Sequence, residues 1–416
     1  MIKTRKLNCG VTLIMEHIPY VQSTSFGIWI KAGSFNENKK TAGISHLIEH
    51  MMFKGTEKRS AKEIAKDADK IGSQMNAFTG KEVTCYYIKS LASNIDKSID
   101  LILDMFFNSL YDRKELEKEK DVIYEEMKMY EDVPEEDVHE VISELVFQGT
   151  QLAQPIIGTK TALSGITRNT IKDYIKTEYT KDSVFVSIAG KFDEDEIANL
   201  IDGKFNTLPS KKEKKKYIDV PFTTKFKVKV KDVEQTHICL GTRSMKLSDK
   251  RYYAFAVLNN IFGGSMGARL FQSIREEKGL AYSVYSSNSS HVDTGMFNIY
   301  AGVSHDKVKD AIFAIKDELA KLKKDGITKE ELLTAKEQIK GSYIFSLESV
   351  NGRMVANGKN MTLLNKMYEP KEIIANINKV TMADIEEVSK IIYNIEDYSG
   401  ALVTNKKVDL KKWMLS

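Results

Sequence analysis

Three polar side chains, His46, Glu49 and His50, interrupt the helical pattern of the stretch "GISHLIEHMMFKGT", Gly43 to Thr56. Residues four apart on an α-helix sit one turn apart and about 40° round the axis, so His46 and His50 can turn two imidazoles towards one ion. Glu49 lies next to both, within reach of a water at that ion, where a carboxylate serves as a general base. The competing reading is two histidines tolerated on an amphipathic helix. Ile44, Leu47, Ile48 and Met51 already supply the apolar face, and the chain has only seven histidines, so a chance trio is uncommon.

The order H-x-x-E-H is the inverse of the H-E-x-x-H zinc arrangement. A catalytic zinc takes three protein ligands and keeps one position open, so two histidines leave one ligand to find. His17, His139, His237, His291 and His305 stand in unrelated contexts. A carboxylate is the better source, and "ELEKEKDVIYEEMKMYE" offers Glu115, Glu117, Glu119, Glu125 and Glu126 on one predicted helix. Glu119 and Glu126, two turns apart, share a face. Ile123, Tyr124 and Met127 mark the apolar side that Glu126 borders, but periodicity alone does not choose between Glu125 and Glu126.

The elements that must position these residues follow from patterning. "VTLIMEHI" and "STSFGIWIKAG" read as strands, and "TAGISHLIEHMMF" and "SAKEIAKDADKIG" as helices. "EVTCYYIKS" returns to strand alternation. "NIDKSIDLILDMFFNSL" and "RKELEKEKDVIYEEMKMYE" are long amphipathic helices, with further helices near 134–147 and 168–178. "SVFVSIAG" is a strand and "DEDEIANLIDGKF" a helix. "LPSKKEKKKYIDVP", with its lysine run between prolines, reads as a linker. The expected division is a domain over 1–208, a linker over 209–225 and a second domain over 226–416.

After the linker the pattern restarts with "KFKVKV", "THICLGTR" and the helix "DKRYYAFAVLNNIFGG". At an offset of 209, "FGIWIKAG...ISHLIEHMMF" runs alongside "HICLGTRS...YAFAVLNNIF". His46, Glu49 and His50 then fall opposite Phe255, Leu258 and Asn259. The second copy keeps the helix without the polar trio, so packing does not demand that trio.

At 416 residues the chain is long enough for two domains of about 200 residues each. A net charge of +4 over 62 basic and 58 acidic side chains is near balance and implies neither a nucleic-acid nor a membrane partner. Cys9, Cys85 and Cys239 form no C-x-x-C pair and no disulfide framework, which points to a reducing, cytoplasmic setting. The apolar run Val11 to Met15 ends at Glu16, too short for a signal-peptide core or a membrane span.

"GISHLIEHMMFKGT", "IGSQMNAFTGKEVTCYYIKS", "DVIYEEMKMYEDVPEEDVHE" and "ARLFQSIREEKGLAYSVYS" together resemble the pitrilysin-type metallopeptidases. Within them the subfamily it resembles is that of the mitochondrial processing peptidase and its bacterial processing-protease relatives. The resemblance implies that His46, His50 and Glu126 hold one Zn2+ per chain, with Glu126 lying 76 positions after His50, and that Glu49 is the base. It implies that Glu119 supports the zinc site or the base. It further implies that Asn76, Ala77, Phe78 and Thr79 form an edge strand for the substrate backbone, and that Arg275 and Tyr282 hold substrate and the developing oxyanion. Read from the residues alone, Arg275 pairs with Glu276 or Glu277, and Tyr282 is a packing aromatic.

The implied fold is α+β, with two similar domains, each a mostly antiparallel sheet with helices packed on one side. The implied function is endopeptidase action on peptides or unstructured protein segments inside a chamber closed by a second copy or a related chain. The alternatives are a non-catalytic partner or assembly subunit of the same fold and a zinc hydrolase of a non-peptide substrate. The chain departs from the family in "GTQLAQPIIG", which lacks the histidine-proline pair often found before "PIIG". Gly263, Gly264 and Gly267 in "FGGSMGARLF" lack a P-loop ending and read as a tight turn.

Overall fold

A computed structural model of the chain describes residues 2–210 and 216–416. The lysine-rich part of the expected linker, residues 211–215, lies outside the described residues, and residues 216–225 carry neither helix nor strand. Two compact units form. The first gathers Met1–Met127, Gln154–Lys216 and Phe345–Glu369, and the second Lys128–Ala153, Tyr217–Ile344 and Pro370–Ser416. These are not the two continuous stretches that the linker suggested, because each half of the sequence gives one segment to the other unit.

The helices that frame the sheets are α1 (Ile44–Met52), α2 (Ile95–Asn108), α3 (Arg113–Asp132), α4 (Pro134–Val146), α5 (Tyr252–Phe262), α6 (Val308–Asp325) and α7 (Val350–Leu364). In the first unit the strands are β1 (Ile2–Lys6), β2 (Thr12–His17), β3 (Ser23–Ile30), β4 (Gln74–Thr79), β5 (Thr84–Leu91) and β6 (Val184–Gly190). Their order is β1-β2-β6-β3-β5-β4; β2 and β6 pair in parallel and the other neighbours antiparallel. Successive side chains of a strand point to opposite faces. Phe26, Ile28 and Ile30 of β3 therefore share one core with Ile44, Leu47 and Ile48 of α1 and Ile99, Ile102 and Phe106 of α2.

The other face of that sheet is covered by α7. Ser25 donates to Asn351 at 2.9 Å, Ser187 donates to the Met354 carbonyl at 2.9 Å, and Glu16 accepts from Arg353 at 2.5 Å and Asn357 at 2.7 Å. Trp29 on this face is fully buried, and a Cβ at Gly358 would lie 2.1 Å from its Nε1. Helices thus lie on both faces rather than one. The second face also carries large side chains that must leave water, and the exchanged helix removes them from it.

The second unit repeats the plan. Its strands β7 (Phe226–Val230), β8 (Thr236–Ser244), β9 (Ala281–Ser290), β10 (Gly295–Val303) and β11 (Ser399–Thr404) are ordered β7-β11-β8-β10-β9, with β7 and β11 the parallel pair. With β1 set aside, the two sheets have the same strand order and place their parallel pair alike. Ile238 and Leu240 face Phe255 and Leu258 of α5 and Ile312 and Ile315 of α6. On the other face α4 lies over Gly241, where a Cβ would meet Ile142 Cγ1 at 2.7 Å.

The offset of 209 carries α1 onto α5, while β8 starts later than the same offset would set the counterpart of β3. Opposite the polar trio, Phe255 and Leu258 are fully buried, and the Asn259 side-chain oxygen accepts from the Ser286 hydroxyl at 2.9 Å. No helix among the described residues is long and apolar enough to cross a membrane. Cys9, Cys85 and Cys239 are buried free thiols.

Candidate metal centre

The helix that carries the trio starts at a glycine for a steric reason. Gly43 has φ +93°, and a Cβ there would approach the Ile157 carbonyl oxygen to 2.6 Å. Its N-terminus is capped from a distance, because Glu37 accepts from the Gly43 N–H at 2.6 Å and the Ser45 N–H at 2.9 Å. Burial pushes the Glu37 carboxyl up to about 7, against the pull of those two donors. Ile44, Leu47, Ile48 and Met51, spaced i, i+3, i+4 and i+7, are all fully buried. Each such burial contributes roughly 1.5–3 kcal/mol, which fixes the rotation of α1 and leaves His46, Glu49 and His50 half-buried on the remaining side.

The carboxylates come from α3, whose buried residues Leu116, Glu119, Lys120 and Ile123 form one helical stripe. Glu126 continues that stripe and is half-buried, whereas Glu125 is exposed. The choice that periodicity left open is made by this packing.

His46 Nε2 lies 3.8 Å from Glu126 Oε1 and His50 Nε2 lies 3.7 Å from Glu126 Oε2. The imidazole centroids are 4.6 Å apart. His46, His50 and Glu126 each offer one donor atom within 4.8 Å of the other two. Tetrahedral zinc with bonds of about 2.0–2.1 Å holds its ligand atoms roughly 3.4 Å apart, so small side-chain adjustments close this set on an ion. Two imidazole nitrogens and a carboxylate oxygen suit zinc better than magnesium or calcium, which favour all-oxygen sets.

Behind His50 stands a charged support. Its Nδ1 lies 3.2 Å from Glu119 Oε2, and Lys54 Nζ lies 2.6 Å from Glu119 Oε1. A carboxylate on the far nitrogen fixes the ring's tautomer and turns Nε2 to the shared point. Nδ1 of His46 is buried without a hydrogen-bond partner among the described residues. Burial first, then the neighbouring His50, lowers the His46 pKa to about 4, so its ring is neutral at pH 7. Burial raises the Glu49 carboxyl above its usual range, and the Thr79 hydroxyl, which donates to Glu49 Oε2, opposes that rise.

The expected edge strand is β4, which among the described residues pairs only with β5. Asn76 is exposed, Ala77, Phe78 and Thr79 are half-buried, and Phe78 packs edge-on against Trp29 at 5.5 Å. Arg275 and Tyr282 belong to the second unit. The Arg275 guanidinium lies 5.4 Å from the Tyr282 ring centroid and 4.8 Å from that of Phe271, and its Nε is 3.5 Å from Glu276 Oε1. Tyr282 is 75% exposed at the start of the edge strand β9, so it is not a buried packing aromatic.

Lys54, Glu37 and the Thr79 hydroxyl were not singled out by sequence reasoning for the contacts they make. Lys54 had a readable signal, since it lies four residues beyond His50, as His50 lies beyond His46. The Glu37 and Thr79 contacts arise from chain segments that no local pattern brings to α1.

Residues 12–160 match the family described as "Insulinase (Peptidase family M16)", and residues 165–339 match that described as "Peptidase M16 inactive domain". The chain is 42% identical over 404 residues to the uncharacterized zinc protease YmxG of Bacillus subtilis (strain 168), covering 97% of this chain and 98% of that one. Its fold is similar to that of a protease from Helicobacter pylori, with a TM-score of 0.88, 22% identity, and 97% of this chain and 99% of that chain covered. It is also similar to a chain of complex III2 from Candida albicans, with a TM-score of 0.87, 20% identity, and 100% and 99% covered.

Proposed function

The chain belongs to peptidase family M16, the insulinase family, and on that footing we propose that it is a zinc endopeptidase cleaving peptides and unstructured protein segments. The observation that carries this reading is the convergence of His46 Nε2, His50 Nε2 and the Glu126 carboxylate beside Glu49. These three residues hold one zinc per chain, and the ion when bound supplies Lewis acidity that acidifies water and polarises a carbonyl.

The chain's own residues do the rest. Glu49 takes a proton from the attacking water as the new carbon–oxygen bond forms, then delivers it to the amide nitrogen as the carbon–nitrogen bond breaks. Glu119 keeps His50 aimed at the centre. The open edge of β4, over Asn76, Ala77, Phe78 and Thr79, takes an extended substrate through main-chain hydrogen bonds, which selects unfolded segments. The Tyr282 hydroxyl stabilises the developing oxyanion, with Arg275 alongside as a substrate contact. We assign Arg275 and Tyr282 to the site of a partner chain, an identical copy or a related subunit, so that the working particle is a dimer. The free thiols support a cytoplasmic setting.

The likeness to the complex III2 chain supports a second reading, a non-catalytic assembly subunit. The complete set His46, Glu49, His50 and Glu126 weighs against it. Zinc-loaded protein is expected to cut an unstructured peptide and spare a stably folded domain, to stop on treatment with a chelator and to resume with zinc. Failure to cut any of a varied library of unstructured peptides would overturn the peptidase reading in favour of the assembly role.

A further inference from the structure

Thr79 is the last residue of β4, and its side chain makes a contact that strand pairing does not require. Side chains alternate along β4, and Met75 and Ala77 pack against the first unit's core. Thr79 is the next residue on that side, and its Oγ1 donates a hydrogen bond to Glu49 Oε2.

The strand end is held independently of any substrate. Gly80 N–H donates to the Val83 carbonyl at 2.8 Å, and the Gly80 and Lys81 carbonyls accept from the N–H groups of Ser34 at 3.3 Å and Phe35 at 2.7 Å. The approach is close enough that a Cβ on Gly33 would lie 2.2 Å from the Gly80 oxygen. The backbone next to Thr79 is therefore held by main-chain bonds at the hairpin tip. Glu49 is anchored separately, through the buried face of α1. One hydrogen bond thus joins the proposed base to the strand with the free edge.

We propose that Thr79 is a positioning residue whose hydroxyl sets the Glu49 carboxylate in register with a peptide paired to β4. This rests on the peptidase reading above and adds a second role to a strand otherwise assigned only to backbone pairing. Its physical content is a fixed distance between the base and the substrate backbone, because both are referred to the same strand. A misplacement of about 1 Å at a reacting centre costs on the order of a hundredfold in rate.

Thr79→Val keeps the side-chain shape and strand preference and removes only the donor. We expect it to lower kcat by about tenfold to a hundredfold while KM for the peptide and bound zinc stay within about twofold. Thr79→Ser restores the donor and recovers most of the lost turnover. A readout free of turnover comes from infrared difference spectra of metal-free protein. The carboxylate band that vanishes in Glu49→Gln shifts in Thr79→Val and returns in Thr79→Ser. A rise in KM with kcat intact, a loss that serine does not recover, or an unmoved carboxylate band overturns the positioning role. Glu49→Gln measured alongside separates the two failures. If it still cleaves peptides, the assignment of Glu49 as base falls, and the role of Thr79 with it. If it is inactive while Thr79→Val turns over normally, only the role of Thr79 falls.

Discussion

His50 makes the most of its two nitrogens, with Nε2 towards Glu126 and Nδ1 on a carboxylate that Lys54 pins from the other side. The two glutamates of α3 should therefore fail differently. Glu119→Gln keeps all three donors and is expected to cost about 10–100-fold in zinc affinity. Glu126→Gln removes a ligand charge and should cost more. Zinc titration against a competing chelator checks the order, and equal losses would contradict it. At this scale the sequence was readable where chemistry is local: H-x-x-E-H needs only one helix to bring its residues together. It was not readable where a contact crosses segments. Periodicity left Glu125 and Glu126 equal, and only the packing of Leu116 and Ile123 turns Glu126 inward. Nothing in "NAFTGK" announces that the threonine would reach Glu49.

Among the elements, α4 and α7 carry the lesson about what patterning holds. The sequence reading placed a helix at α4 but none at α7, and even at α4 the pattern does not name the sheet that the helix will cover. That choice depends on contacts such as Glu16 with Arg353 and Asn357, more than three hundred residues apart in sequence. The strands themselves and the repeat were more accessible, because each strand's alternation shows locally. The seat of α7 is narrow at Gly358, which faces the buried Trp29 ring. Gly358→Ala should destabilise the first unit by about 1–3 kcal/mol through overpacking, with the second unit unaffected. Hydrogen exchange resolved by segment checks this, and unchanged protection of β3 and β6 would contradict it.

At the scale of the whole molecule, the chain contributes one metal-binding unit and one unit whose matching helix bears Phe255, Leu258 and Asn259 in place of the trio. If a partner supplies Arg275 and Tyr282, dimers combining a Glu49→Gln chain with a Tyr282→Phe chain hold one fully furnished site. Their turnover should exceed that of either parent, whereas turnover equal to the parents' average would place the pair in the same chain as its zinc. The claim on which all of this depends concerns Glu49. The most direct measurement is zinc content and peptide turnover on the same preparation of Glu49→Gln. Retained zinc with turnover lost by at least about a hundredfold is the predicted result. Full turnover with zinc bound would contradict it.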